Sequence, residues 1–213
     1  MRLKSFFLIF ALLVLPSLAA SNAPKPEKTV FNYSLVNSAG KETSLSAYKG
    51  KVLLIVNLAS QSIYSSQISA LAELQKQYAE KGLIILGIPS SDFGSQELTD
   101  NAAILHYYTE AQHVTFPVFA KASVRGKDAI PLVKFLTDPK DGTSGGEIHW
   151  NFTKFLVDRE GHPVMRFEVD SDPLDPAFRA KLEDVLNGSF KKHKPVPTEQ
   201  NSSPDAGDDD DRE

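Results

Sequence analysis

An α/β domain is predicted by three features of the chain: two aliphatic runs, a stretch of helical spacing between them, and two pairs of short extended segments, each pair joined by turn residues. The first run, Val52-Leu53-Leu54-Ile55-Val56, lies between Gly50 and Asn57. Continuous aliphatic and β-branched residues of this length suit a strand covered on both faces, at the centre of a sheet. From Ser65 to Lys81, the apolar residues Ile68, Leu71, Leu74 and Tyr78 recur at three- and four-residue steps, and Gly82 follows. That spacing makes one apolar helix face, with glycine in its usual place past the C-terminus. Leu83 to Ile88 is the second run, so the order is strand, helix, strand, with a crossover long enough for parallel pairing in a right-handed βαβ unit.

The remaining elements are placed around that unit. Upstream, Val30–Leu35 and Glu42–Leu45 flank Asn37-Ser38-Ala39-Gly40, turn chemistry that predicts an opening hairpin. Asn101–Tyr108 predicts a short helix with Ile104 and Tyr108 on one face. Phe152–Val157 and Val164–Phe167 flank Asp158-Arg159-Glu160-Gly161, which predicts a second hairpin. Asp175–Leu186 predicts a closing helix stopped at Asn187-Gly188, and Asp141–Glu147, with three glycines, is the loosest interior loop.

The chain has 213 residues, 41% hydrophobic and 23% charged, enough for one globular domain with tails rather than two domains. Its net charge of −4 is unevenly spread: Glu199–Glu213 carries seven acids against Arg212 alone, so the body is close to neutral. It has no basic footprint for nucleic acid. Cysteine is absent, which excludes disulfides, thiolate metal sites and thiol catalysis. His106, His113, His162 and His193 show no paired ligand spacing, so no metal is expected. Met165, in the second hairpin, offers no substitute redox centre.

Arg2 and Lys4 precede an apolar run from Phe6 to Leu15, then Pro16-Ser17-Leu18-Ala19-Ala20. This order predicts a cleaved signal peptide over residues 1–20 and export to a periplasm or the exterior. The apolar run is about ten residues, roughly half of a membrane-spanning helix, so no stable membrane anchor is expected. Residues 21–28 then form a spacer, 29–190 the folded domain, and 191–213 a charged tail with too few apolar residues to offset its ordering entropy.

Several segments in fixed order resemble the glutathione peroxidase family. They are Tyr48–Ser60 (YKGKVLLIVNLAS), Leu86-Gly87-Ile88-Pro89 followed by Phe93-Gly94-Ser95-Gln96-Glu97, Phe116-Pro117-Val118-Phe119, and Trp150–Val157 (WNFTKFLV). The resemblance runs from about Lys28 to Leu186. It implies a thioredoxin-like fold: a central mixed sheet flanked by helices, preceded by the N-terminal β-hairpin. It also implies reduction of a hydroperoxide, no prosthetic cofactor, and a thiol such as glutathione or thioredoxin as reductant. The short loop between Leu136 and Trp150 resembles the monomeric branch of the family, so a monomer is expected.

On this resemblance the family's four-residue site falls at Ser62, Asp92, Trp150 and Asn151. Trp150 and Asn151 match; Ser62 stands where the family has cysteine or selenocysteine, and Asp92 where it has glutamine. A resolving cysteine would fall near Thr109. A serine hydroxyl has no sulfenic-acid ladder and holds its proton far more tightly than a thiol, whose pKa is about 8.5, so the peroxidatic step is lost. An ionised Asp92 only accepts hydrogen bonds, which would repel a thiolate but satisfy a serine hydroxyl. Asp92 therefore either pairs with Ser62, or caps its own following segment or faces solvent, and Trp150 either lines the site or only packs in the core. Asn57 reads as structural, ending the central strand and satisfying loop backbone. A serine hydrolase built on Ser62, His149 and Asp92 is conceivable but disfavoured, since His149 is expected to face away from Trp150 at the start of a strand. Three functions remain in order: a peroxidase-family protein of the oxidative-stress response with activity absent or residual, a non-catalytic exported binding module using the remaining pocket, and a serine hydrolase.

Overall fold

The computed structural model describes residues 27–143 and 146–190. The expected signal peptide, almost all of the spacer and the charged tail lie outside the described residues. A four-stranded sheet, ordered β4-β3-β5-β6, forms the centre: β3 (Val52–Leu58), β4 (Leu83–Pro89), β5 (Lys154–Val157) and β6 (Pro163–Phe167). β3 and β4 are parallel in the register Val52 to Leu83, whereas β5 runs antiparallel to both β3 and β6. The sheet is mixed because α1 (Gln67–Tyr78) carries the chain back between β3 and β4, while a tight turn after Val157 joins β5 to β6.

Every residue of β3 is buried, and its side chains divide by alternation. Val52, Leu54, Val56 and Leu58 point to the face covered by α1 and α4 (Pro176–Leu186), where they meet Ile68, Leu71, Leu74, Leu182 and Val185. Leu53 and Ile55 point to the other face, against Val30, Leu35, Leu45 and α3 (Pro131–Leu136). α3 had no counterpart in the sequence reading, although its signal was present: Pro131 at the first helical position, then Leu132, Val133, Phe135 and Leu136, all buried. Gln75, on the core face of α1, donates to Leu83 O at 3.0 Å and accepts from Ile85 N at 2.7 Å, which satisfies backbone of the edge strand β4.

Two expected elements are displaced. Val30–Asn32 is a tight helical turn rather than the start of a strand, because the Thr29 N–H closes onto Asn32 Oδ1 at 2.8 Å. The opening hairpin is therefore β1 (Ser34–Val36) with β2 (Glu42–Ser44), a separate two-stranded sheet. It joins the rest through Phe119, which bridges Asn37, and through Ala120 N donating to Val36 O at 2.8 Å. The second difference lies at 101–111: α2 (Asn101–His106), capped by Asp100, passes into a wider π-helical turn at Tyr107–Ala111. Such turns are rare outside functional or strained sites.

Candidate active site

The segment after β3 turns sharply and places Ser62 at 3% exposure. Ser62 N donates to Ala59 O at 3.2 Å, and Ser62 Oγ accepts from Tyr64 N at 3.3 Å, so the hydroxyl oxygen has a local backbone donor. The turn is pinned from outside by two neighbouring residues. Gln96 O accepts from Gln61 N at 2.9 Å. Glu97, itself buried, accepts from Ser60 N at 3.2 Å, from Ser60 Oγ, from Leu98 N at 2.8 Å and from Tyr108 OH at 2.7 Å. Tyr107 OH adds a bond to Ser60 O at 3.3 Å. Burial pushes the Tyr108 phenol far above its ordinary pKa, and the Glu97 carboxylate adds to the effect, so Tyr108 remains a donor.

The other half of the site is the loop from Trp150 to Thr153. Asn57 Nδ2 and Thr153 Oγ1 both donate to Trp150 O, at 3.2 and 3.1 Å, and Phe152 N donates to Asn57 O at 2.8 Å. Asn57 thus has the structural role expected of it. Phe152 is fully buried at φ +63°, a left-handed conformation that is unusual for a bulky side chain. Its carbonyl is held by Lys154, whose fully buried ammonium donates to Phe152 O at 2.9 Å and to Glu168 O at 3.4 Å. Burial lowers the Lys154 pKa to about 8, against the opposing pull of Asp170, Asp172 and Glu168.

Of the four expected site residues, the fold clearly brings together Trp150 and Asn151 with the 90s loop, and the Ser62 turn with the same loop. Trp150 packs its ring against Phe93 at 5.9 Å between centroids and remains partly exposed, so it is not a core residue. Asn151 is fully buried, and its Nδ2 donates to Gln96 Oε1 at 3.0 Å and Phe93 O at 3.4 Å. Its amide protons are therefore engaged and do not point to position 62 as donors. Asp92 is the plainest correction. Its carboxylate accepts from Val124 N at 2.6 Å and Ser123 Oγ at 3.0 Å, and it makes no hydrogen bond to Ser62 among the described residues. The capping role is the one realised, with the capped segment 31–32 residues away rather than adjacent.

His149 does not stand at the start of a strand. It is exposed, β5 starts only at Lys154, and the preceding Ile148 is the buried residue. Among the described residues no hydrogen bond or ion pair joins His149 to Ser62 or Asp92, so the hydrolase trio is not assembled. Thr109 lies in the π-helical turn and donates to Leu105 O at 2.9 Å. No group of three or more metal-ligating side chains occurs among the described residues. Gln96, Glu97 and Lys154 stand outside the four positions expected from the order of residues. For Lys154 a signal existed, as the single charge inside an apolar strand pattern.

The strand order and the helices on both faces define a thioredoxin-like α/β protein. A thiol:disulfide interchange protein of the thioredoxin family from Chlorobium tepidum TLS shares the fold at 21% identity, with TM-score 0.55, over 77% of this chain and 99% of its own. The family model for glutathione peroxidase matches residues 30–137. A probable phospholipid hydroperoxide glutathione peroxidase of Mesembryanthemum crystallinum is 42% identical over 155 residues, 72% of this chain and 91% of the relative. A glutathione peroxidase of Lactococcus lactis subsp. cremoris is 40% identical over 143 residues, 67% of this chain and 91% of the relative. The crystal structure of T. cruzi GPX1 superposes with TM-score 0.60 at 32% identity, over 77% of this chain and all of that one. The chain belongs to the glutathione peroxidase family, whose enzymes use no prosthetic cofactor and take a thiol as reducing substrate.

Proposed function

We propose that this protein retains the family scaffold and half of its site while thiol peroxidase activity is absent or residual, and that it acts as an exported, monomeric binding module of the oxidative-stress response. The observation that carries this reading is a buried hydroxyl at position 62 in a chain without cysteine. Peroxide reduction breaks the O–O bond by transferring one oxygen to a nucleophile that a thiol then regenerates. Sulfur and selenium can take that oxygen and give it up; an alcohol oxygen cannot. A hydroperoxide or another small ligand would meet this site at Trp150, its partly exposed apolar side chain, with Ser62 and Asn151 buried behind it.

The test compares purified protein with hydroperoxide and a thiol reductant against a blank without protein. Peroxide loss indistinguishable from the blank is expected; turnover abolished by Ser62→Ala would overturn the reading. Export is supported by the charged, apolar and small-residue order of residues 1–20, and intact mass of exported protein should show a start near Ala20 or Ser21. A retained Met1 would refute it. Sedimentation should give a monomer, and a tetramer at micromolar concentration would refute that part.

A further inference from the structure

Asp92 is turned away to Ser123 and Val124, and both amide protons of Asn151 are engaged, so neither supplies a hydrogen bond to position 62. The residue between the two halves of the site is Gln96. Its backbone carbonyl holds Gln61 N at 2.9 Å, one residue before Ser62, and its Oε1 holds the buried Asn151 Nδ2 at 3.0 Å. Nε2 of the same amide has no hydrogen-bond partner among the described residues. The chain reaches this position through two consecutive left-handed residues, Gly94 at φ +69° and Ser95 at φ +54°. A non-glycine in that region is a strain that persists only where the surroundings impose it, and such strain gathers at functional sites. The next residue, Glu97, fixes Ser60 through two bonds, so the turn bearing position 62 cannot swing away from Gln96.

We propose that the Gln96 side-chain amide, and not residue 92, is the group that poises position 62, with Oε1 registering Asn151 and Nε2 donating toward the atom at position 62. Gln96 is a positioning residue, fixed by the same bonds that join the two halves of the site. The proposal rests on the family reading of position 62 as the reacting position.

Because the chain contains no cysteine, Ser62→Cys introduces a single thiol whose alkylation rate against pH reports its thiolate fraction. The experiment uses the full chain carrying Ser62→Cys alone or combined with Gln96→Met, Gln96→Leu or Asp92→Asn, each checked for fold by circular dichroism. Gln96→Met and Gln96→Leu both remove the amide without adding a charge, and Gln96→Met keeps the length of the side chain. Both should raise the thiol pKa by about one unit, seen as about tenfold slower alkylation at neutral pH. Asp92→Asn should leave the rate within about twofold, since its carboxylate faces another segment. The proposal is overturned if Gln96→Met alkylates within twofold of Ser62→Cys alone, or if Asp92→Asn accelerates alkylation as much as Gln96→Met slows it. Should Gln96→Met fail to fold, Gln96→Leu decides by the same threshold. Peroxide consumption by Ser62→Cys bears on the proposed function, and alkylation alone decides the role of Gln96.

Discussion

The turn bearing Ser62 and the loop bearing Trp150 and Asn151 sit on either side of the 90s loop, and each is held by a buried charge of opposite sign. On the Ser62 side, Glu97 gathers neutral donors: Ser60 N, Ser60 Oγ, Leu98 N and Tyr108 OH. On the Trp150 side, Lys154 gathers neutral acceptors, the carbonyls of Phe152 and Glu168. The difference lies in saturation. Both carboxylate oxygens of Glu97 are bonded twice, whereas the ammonium has two acceptors for three donors, one of them at 3.4 Å. Burial pushes a charged ammonium toward its neutral form. Lys154 shows that push, with its pKa lowered to about 8.

The largest effect should come from breaking the saturated side. Glu97→Ala leaves Ser60 N, Ser60 Oγ and Tyr108 OH in the interior without their acceptor, which should destabilise the protein by roughly 3–4 kcal/mol. Denaturant titration measures it, and a loss under about 1 kcal/mol would show that the network is not what fixes the turn.

The unsaturated side should show itself through pH. Below pH 8 both folded and unfolded chains carry a charged Lys154, and the folded state bears the cost of burying it. Between about pH 8 and the unfolded value of 10.5 the native state binds fewer protons, so stability rises with pH. The gain by pH 10 should be roughly 2–3 kcal/mol. Above pH 10 the raised tyrosines, Tyr108 foremost, reverse the trend, because folding then favours their protonated form. Lys154→Met should flatten the rise between pH 8 and 10 while changing stability at pH 7 by less than about 1.5 kcal/mol. A variant that retains the full rise would move its origin to another group.

The smallest effect should be that of Asp92→Asn, which keeps an oxygen for Val124 N but removes its charge. A loss of about 1 kcal/mol is expected from weakening two charge-assisted bonds. A loss of several kcal/mol would mean that the 123–124 segment anchors the 90s loop far more than its two bonds indicate.

Much of the fold was legible in the order of residues because its signals are local. The aliphatic runs of β3 and β4, the spacing of Ile68, Leu71, Leu74 and Tyr78, and the turn at 158–161 each report burial within a few residues of chain. α3 escaped because six residues are too few to show a period, and Val30–Asn32 because an Asn side chain closed a turn that its β-branched neighbour argued against. That serine stands at position 62 and that the chain holds no cysteine are likewise read directly from the residues. The partners of Asp92, Asn151, Gln96, Glu97 and Lys154 were not. Asp92 meets Val124 across 32 residues and Asn151 meets Gln96 across 55, and over such separations only the packed sheet decides which acceptor a given donor finds. A short polar side chain has several chemically equivalent partners, and sequence ranks them by type alone. The fold ranks them by distance, and so it sent Asp92 to a loop backbone and left the amide of Gln96 between the two halves of the site.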